Sequence, residues 1–277
     1  MKRILNVLIL LTIGAAFAFA GGGSQGGSQA AVTISVGGST SVTPLMELFQ
    51  AEYERLNPNV TITVSGTGSG DGITGAAGGI YDIGMSSREL RPAEIADLDP
   101  HVVAIDGIAV IINSSSPISN LTIDQVRDIY TGVITRWEQL GPAANGKTGG
   151  IAVISREPGS GTRGAFQEIL DFTDAALASN VIILDGTGAI RSAVAGNPDA
   201  IGYISSGSVD TSVKALSVEG AAPTEANIVN GSYRIARPFI LITRAGVTPS
   251  PATRAFLAWV MGPEGQAIVG RSWVRVN

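Results

Sequence analysis

The sequence predicts an α/β fold divided into two lobes, and three observations predict it. Apolar stretches with a two-residue period alternate with helical patterns, the junctions between them are rich in glycine and hydroxyl residues, and two long apolar runs lie far apart in the chain. Val32, Ile34 and Val36 alternate with polar residues, as do Val60, Ile62 and Val64, which is the period of a strand with one buried face. Between them Pro44 opens a helical pattern that carries Leu45, Leu48, Phe49, Tyr53 and Leu56 and stops at Asn57-Pro58. A strand–helix–strand succession of this kind calls for a parallel pair. Further along, Thr122 and Gln125 form a capping box before Val126 and Ile129. Val181 to Leu184 and Ala200 to Ile204 read as buried strands. Ser250 and Pro251 open a last helix with Phe256, Leu257, Val260 and Met261 on one face and Gly262 just past its end.

The two long apolar runs, 102–112 and 235–242, each contain a pair expected to bend or interrupt a strand: Asp106-Gly107 in the first and Arg237-Pro238 in the second. Two interrupted strands predict two crossings between lobes, with the second lobe inserted into the first and a cleft between them. Residues 32–107 and 238–277 then form lobe 1, and residues 108–237 form lobe 2. The same residues also suit two ordinary strands of one large sheet.

A chain of 277 residues with 44% hydrophobic content has the apolar material for two cores. Only 15% of the residues are charged, with 18 basic against 23 acidic, so there is neither a disordered charge run nor the basic excess of a nucleic-acid binder. Zero cysteines exclude disulfides, thiolate nucleophiles and cysteine–metal sites, and the single His101 excludes a multi-histidine metal cluster. No cofactor is called for, and His101 reads as a strand-entry residue.

Residues 1–20 read as a cleavable signal peptide, from Lys2 and Arg3, an apolar stretch beginning at Ile4, and Ala18-Phe19-Ala20 as an A-x-A cleavage site. A retained membrane anchor would need about 20 apolar residues. Without cysteine the chain cannot be a lipoprotein, so a soluble, exported, periplasmic or otherwise extracytoplasmic protein is expected. Loss of Lys2 and Arg3 leaves 16 basic against 23 acidic groups, a net charge of −7. Residues 21–31 form a flexible Gly/Ser/Gln linker, and folding is expected to begin near Val32.

Candidate chemistry sits in three strand–loop–helix junctions: Gly37-Gly38-Ser39-Thr40-Ser41, Gly66 to Gly72, and Arg156-Glu157-Pro158-Gly159-Ser160-Gly161-Thr162. The first N–H groups of a helix have no internal partner and meet the positive end of its dipole, so such a junction welcomes an anion. Glycine allows close backbone approach, and Ser and Thr add donors without charge. Arg156 contributes a planar fork suited to a tetrahedral oxyanion, with Glu157 beside it to hold the fork. Each junction taken alone is equally readable as a plain capped turn, and Arg156 as a surface ion pair.

Several motifs together resemble the phosphate-binding subunit of bacterial phosphate ABC transporters. They are Gly38-Ser39-Thr40-Ser41 with Pro44, Gly68-Ser69-Gly70, Tyr81 to Arg88, Ile129 to Thr135 with Trp137, Arg156-x-x-Gly159-Ser160-Gly161-Thr162, Ala200-Ile201-Gly202-Tyr203, and Pro263-Glu264-Gly265-Gln266. Their order and spacing match from about residue 32 to the C-terminus. The resemblance implies the two-lobed periplasmic-binding-protein fold, type II-like, and an inorganic phosphate held in the cleft. It further implies hinge closure, delivery to transmembrane permease subunits, and a monomeric carrier rather than an enzyme. Carried over, the ligand contacts are Thr40, Ser41, Ser69, Ser87, Arg156, Ser160, Gly161 and Thr162, with Ser39 and Asp71 as additional candidates.

Ser87 departs from the pattern, because some relatives place an aspartate there to accept the proton that phosphate still carries. A serine both donates and accepts, so rejection of proton-free sulfate is less assured. Asp71 is a candidate substitute acceptor, or else a carboxylate favouring the first turn of a helix. Arg88 is readable as facing either the cleft or the surface. Rival readings are the same fold carrying sulfate, molybdate or tungstate, and an exported phosphatase, for which no metal cluster or activated nucleophile is visible. Gly70 to Gly75 also fits the G-x-G-x-x-G spelling of a dinucleotide fingerprint, with Glu89 about 20 residues on, but on the second strand rather than the first.

Overall fold

The computed structural model describes residues 31–276 and is α/β, as the strand and helix periods predict. In chain order the elements are β1 (Val32–Gly38), α1 (Thr43–Leu56), β2 (Val60–Gly66), α2 (Ser69–Ala77), β3 (Ile83–Ser86), α3 (Pro92–Ile95) and β4 (Leu98–Asn113). Next come β5 (Asn120–Leu121), α4 (Ile123–Tyr130), β6 (Ala152–Arg156), α5 (Gly161–Ile169), β7 (Ile182–Leu184), α6 (Gly186–Gly196) and β8 (Ala200–Ser205). The chain ends with β9 (Val213–Ala215), β10 (Ser217–Val218), α7 (Glu225–Val229), β11 (Ala236–Arg244), α8 (Pro251–Met261) and α9 (Pro263–Val269). The signal-peptide reading and nearly all of the linker lie outside the described residues. Among those described, no helix is long and apolar enough to cross a membrane.

The expected helix signals are realised where the backbone uses them. Thr122 and Gln125 cap α4 reciprocally, and the Ser250 hydroxyl accepts from Thr253 N at 3.0 Å above Pro251. In α1 the face is set by Leu45, Met46, Phe49 and Tyr53, whereas Leu48 and Leu56 point outward.

The main sheet runs β2-β1-β3-β11-β4-β8-β6-β7, with β9 also on β4. β1 pairs in parallel with β2 and β3, and β6 with β7 and β8, while β11 and β4 are antiparallel to each other and to their other neighbours. Two long strands thus carry the chain between two groups of parallel strands. The apolar core divides at the same place. Along β4, Val103 and Ala104 pack with β1, α1 and α8 residues, whereas Ile108 and Val110 pack with Tyr130, Phe166 and Tyr203. At β11, Ile235 just before the strand joins the second group and Phe239 within it the first.

Two expectations are corrected. β4 and β11 run as continuous strands through Asp106-Gly107 and Arg237-Pro238, with Arg237 paired to Asp106, and the irregularity falls instead just beyond, where the register shifts between Phe239 and Ile240. Pro238 fits because its partner Ile105 directs both its N–H and its carbonyl to Val274 on the other side, so the proline's missing donor leaves no bond unmade. And 181–184 is not a buried strand. Its strand segment, β7, ends the sheet, paired only with β6, and leaves Ile182 and Ile183 47% and 40% exposed.

Candidate functional site

Five strand ends converge where the sheet carries its chain crossings. Gly38, with φ at +135°, turns the chain out of β1, and a Cβ there would strike the Met85 carbonyl at 2.4 Å. Its carbonyl accepts from Thr67 N and Gly68 N at 2.7 and 2.8 Å, which locks the β1 and β2 loops together. The Ser39 carbonyl takes the N–H groups of Val42 and Thr43, so the turn into α1 is closed by backbone and leaves the Thr40 and Ser41 hydroxyls for other work. Gly72 packs α2 directly on the sheet, where a Cβ would lie 2.5 Å from the Met85 carbonyl. Gly75 is needed for a different reason, since a Cβ there would fall 2.4 Å from the Tyr81 ring, so these glycines serve packing around α2.

The result is a buried ring of hydroxyls with one guanidinium in it. Ser41 Oγ lies 2.7 Å from Thr162 Oγ1 and 3.1 Å from Thr187 Oγ1, and Ser69 Oγ lies 3.2 Å from Ser87 Oγ. Ser87 Oγ is 3.4 Å from Thr162 Oγ1, which links the two halves of the ring. Arg156 Nη2 donates to Thr40 Oγ1 at 2.9 Å and Nη1 to Thr187 Oγ1 at 3.4 Å. Ser41, Ser69, Ser87, Arg156 and Thr162 are each at most 1% exposed. Gly161 belongs to the same contact, since a Cβ on it would fall 2.4 Å from Ser69 Oγ.

Glu157 holds the arginine fork from the far side, accepting Nε at 2.7 Å and Nη2 at 2.6 Å, and it also accepts Gly186 N at 3.2 Å. Burial alone would raise this carboxyl, but the Arg156 hydrogen bonds and charge and the nearby N–H groups outweigh it and hold the group below the usual carboxylate range. Behind Arg156, the Tyr203 phenol accepts from Arg156 N at 3.3 Å and shares a 2.7 Å contact with Ser155 Oγ, fixing the end of β6.

The ring has a defined proton direction. Ser69 Oγ accepts from Ser87 N, Thr40 Oγ1 from Arg156 and Thr187 N, and Thr162 Oγ1 from Arg237 at 3.0 Å. A hydroxyl that already accepts from an N–H turns its single proton elsewhere. Among the described residues, the Ser41 and Ser87 hydroxyls receive no N–H, so they keep the freedom to accept as well as donate.

Most of the expected residues therefore meet: Thr40, Ser41, Ser69, Ser87, Arg156, Gly161 and Thr162. Ser160 is buried, and its hydroxyl caps α5 by accepting Arg163 N at 3.3 Å. Ser39 is buried behind the ring, its hydroxyl accepting Ser41 N at 3.3 Å. Asp71 is not brought in. It lies exposed on the first turn of α2, two residues past Ser69 and so on the opposite side of the helix. Arg88 forms a double hydrogen bond with Glu94, both at 2.8 Å, beside a groove it shares with Arg91, Arg163 and Asp174.

Three further residues take part: Thr187, Asp106 and Arg237. Thr187 lies in Gly186-Thr187-Gly188, a fourth glycine–hydroxyl junction after an apolar run, so its signal was the same as that of the others. Asp106 and Arg237 suit a strand bend when taken locally, but a charge in the middle of an apolar run is itself a sign of a buried pair.

Comparison with known proteins places this geometry among relatives. A family model described as a PBP superfamily domain matches residues 23–264. The phosphate-binding protein PstS of Bacillus subtilis is 30% identical over 216 residues, covering 76% of this chain and 70% of the relative. A protein of Clostridium perfringens, described as a phosphate ABC transporter substrate-binding protein and solved with bound phosphate, is 42% identical. It superposes with a TM-score of 0.85 over 88% of this chain and 100% of that one. An ABC-type phosphate transport receptor from Vibrio cholerae is 33% identical, with a TM-score of 0.72 over 87% and 99% of the two chains.

Proposed function

The chain belongs to the PBP superfamily and, within it, to the phosphate-binding proteins, and from that premise we propose that it captures inorganic phosphate in the buried hydroxyl ring and delivers it to an ABC transporter. The observation that carries the proposal is the convergence of Thr40, Ser41, Ser69, Ser87 and Thr162 with the Arg156 fork in one buried cluster. Thr187 joins them as a contact. A tetrahedral oxyanion seated there replaces hydroxyl–hydroxyl contacts with charge-assisted ones, each worth roughly 1.5–3 kcal/mol before desolvation is subtracted. The Arg156 cation in the cluster, with Arg237 behind Thr162, and several neutral donors suit an anion stripped of water, because neutral dipoles stabilise charge without demanding a fixed protonation state.

The lobes are assigned as 32–107 with 238–277, and 108–237, so the hinge lies where β4 and β11 exchange cores. Thr40, Ser41, Ser69 and Ser87 then come from lobe 1, and Arg156, Gly161, Thr162 and Thr187 from lobe 2. Closure about the hinge brings the two sets together and adds the Gly70 N to Gly159 O hydrogen bond at 3.0 Å. The closed face is what a permease would recognise. The carrier is exported, monomeric and not an enzyme. Its hydroxyls pair with one another and with guanidinium groups rather than with a general base, which supports carriage over hydrolysis.

A second reading keeps the fold and changes the cargo to sulfate, molybdate or tungstate. The dual character of Ser87 favours admitting it, since no carboxylate in the ring repels a proton-free dianion. Isothermal titration of the chain from Gly21, stripped of carried ligand, with phosphate and then sulfate at pH 7 tests both readings. Tight binding of phosphate is expected, and failure to bind it overturns the proposal.

A further inference from the structure

Asp106 and Arg237 are cross-strand partners at the point where both long strands change from one core to the other. Their side chains are 0% and 2% exposed, and Arg237 Nη2 donates to Asp106 Oδ2 at 3.0 Å. A pair this deeply buried is poorly explained as a stabiliser, because desolvating two charges offsets most of their attraction. Its other bonds point to the site. Asp106 Oδ1 accepts from Ser205 Oγ at 2.7 Å and Ser206 Oγ at 3.3 Å, which fixes the carboxylate and, through Oδ2, aims the arginine. Arg237 Nη1 then splits between the Ser87 carbonyl at 2.5 Å and Thr162 Oγ1 at 3.0 Å, while its Nε is buried with no hydrogen-bond partner among the described residues.

We infer that Arg237, aimed by Asp106, is a positioning residue for anion capture: it fixes the Thr162 hydroxyl as a donor to the anion and does so only when Ser87 and Thr162 have been brought together. The inference rests on the phosphate-carrier reading. A guanidinium donates and never accepts, so the Thr162 oxygen facing it must receive, and the hydroxyl proton has to point away from Arg237. Away from Arg237 lies Ser41 Oγ, 2.7 Å off, in the ring. Without Arg237, the same hydroxyl is free to donate to the Ser87 carbonyl instead, which removes it from the anion. Ser87 and Thr162 belong to opposite lobes, and the one guanidinium that bridges them sits on a crossing strand. Hinge angle and donor orientation are therefore set by the same group, and burial lowers its pKa only to about 10, so it remains a cation at neutral pH.

The test is a cycle of phosphate titrations on the unmodified chain, Asp106→Asn/Arg237→Gln, Thr162→Val, and all three substitutions together. The neutral pair leaves no uncompensated buried charge, and Arg237→Lys, which keeps the charge but loses the second nitrogen, serves if that variant does not fold. Thermal melting checks each fold. The expected result is roughly a 10- to 100-fold weaker affinity in Asp106→Asn/Arg237→Gln and a similar loss in Thr162→Val, with the triple variant within about twofold of Thr162→Val alone. Spin labels on Glu47→Cys and Glu168→Cys, exposed on opposite lobes of a cysteine-free chain, read closure. A phosphate-induced shortening is expected in the unmodified background and a diminished one in the neutral-pair variant. Wild-type affinity in the variant, or losses that simply multiply in the triple, overturns the inference. If the unmodified chain binds sulfate and not phosphate, the carrier reading fails separately and the same cycle read with sulfate still decides the role of Arg237. Binding of neither anion overturns both.

Discussion

Gly161 and Ser69 come so close that a Cβ on the glycine would sit 2.4 Å from the serine hydroxyl oxygen and 2.9 Å from Ser87 Oγ. Gly161 opens α5, where alanine suits the backbone and favours the helix. Gly161→Ala is therefore expected to leave the melting temperature unchanged or slightly higher while weakening phosphate binding by about 10- to 100-fold, because the extra methyl wedges the two lobes apart. Calorimetric titration beside a thermal melt checks this, and a loss of fold in step with affinity would contradict it.

Arg156→Lys tests the fork. The arginine reaches Thr40, Thr187 and both Glu157 oxygens at once, and a single ammonium cannot span those directions. The expected loss of phosphate affinity is about 100-fold or more, with charge conserved. Near-normal binding in the lysine variant would mean that Arg156 acts only as a point charge.

The same contacts show which parts of the molecule are legible in the chain and which are not. Strand–glycine–hydroxyl–helix junctions stand out because close approach needs glycine and the alternation on either side is strong, so Thr40, Ser41, Ser69 and Thr162 were findable one loop at a time. Thr187 carries the same spelling, but the run Val181 to Leu184 before it has the pattern of a buried strand and masks the junction. An apolar run does not report whether it will lie inside a sheet or at its edge, and β7 is at the edge. The pairing of Asp106 with Arg237 depends on register between segments 131 residues apart, which no local pattern encodes. Asp71 shows the reverse error, since proximity in sequence to Ser69 put it near the site although helical geometry turns it outward.

Thr187→Val follows from that omission. The valine keeps the shape and removes the hydroxyl that meets Ser41, Thr40 and Arg156, so phosphate affinity is expected to fall by about 5- to 20-fold with little change in melting temperature. Unaltered affinity would place Thr187 outside the binding set.

Ser87 decides selectivity. Its oxygen receives no N–H among the described residues, so it can accept the proton of a protonated phosphate or turn and donate to sulfate. Ser87→Asp installs a group that, ionised, accepts and never donates, and the preference for phosphate over sulfate is expected to rise by about tenfold or more, mainly through lost sulfate binding. Competition titrations with the two anions measure the ratio. An unchanged ratio would show that Ser87 does not face the proton-bearing oxygen.

Acid stability reports the Arg156–Glu157 pair. The Glu157 carboxyl is held below its ordinary value in the folded chain, so the unfolded chain binds the proton more readily and stability rises with pH through the interval between the two values. The stabilisation from this group is complete above the ordinary glutamate value near pH 4.3 and is lost as the pH falls through the lower, folded one. Melting temperatures measured from pH 7 downward should hold this contribution constant until about pH 5 and lose it below about pH 4. Glu157→Gln should melt lower at neutral pH and show a shallower acid decline, because its amide has no proton to gain. If the two curves run parallel down to pH 3, the carboxylate is not coupled to the arginine that the site depends on.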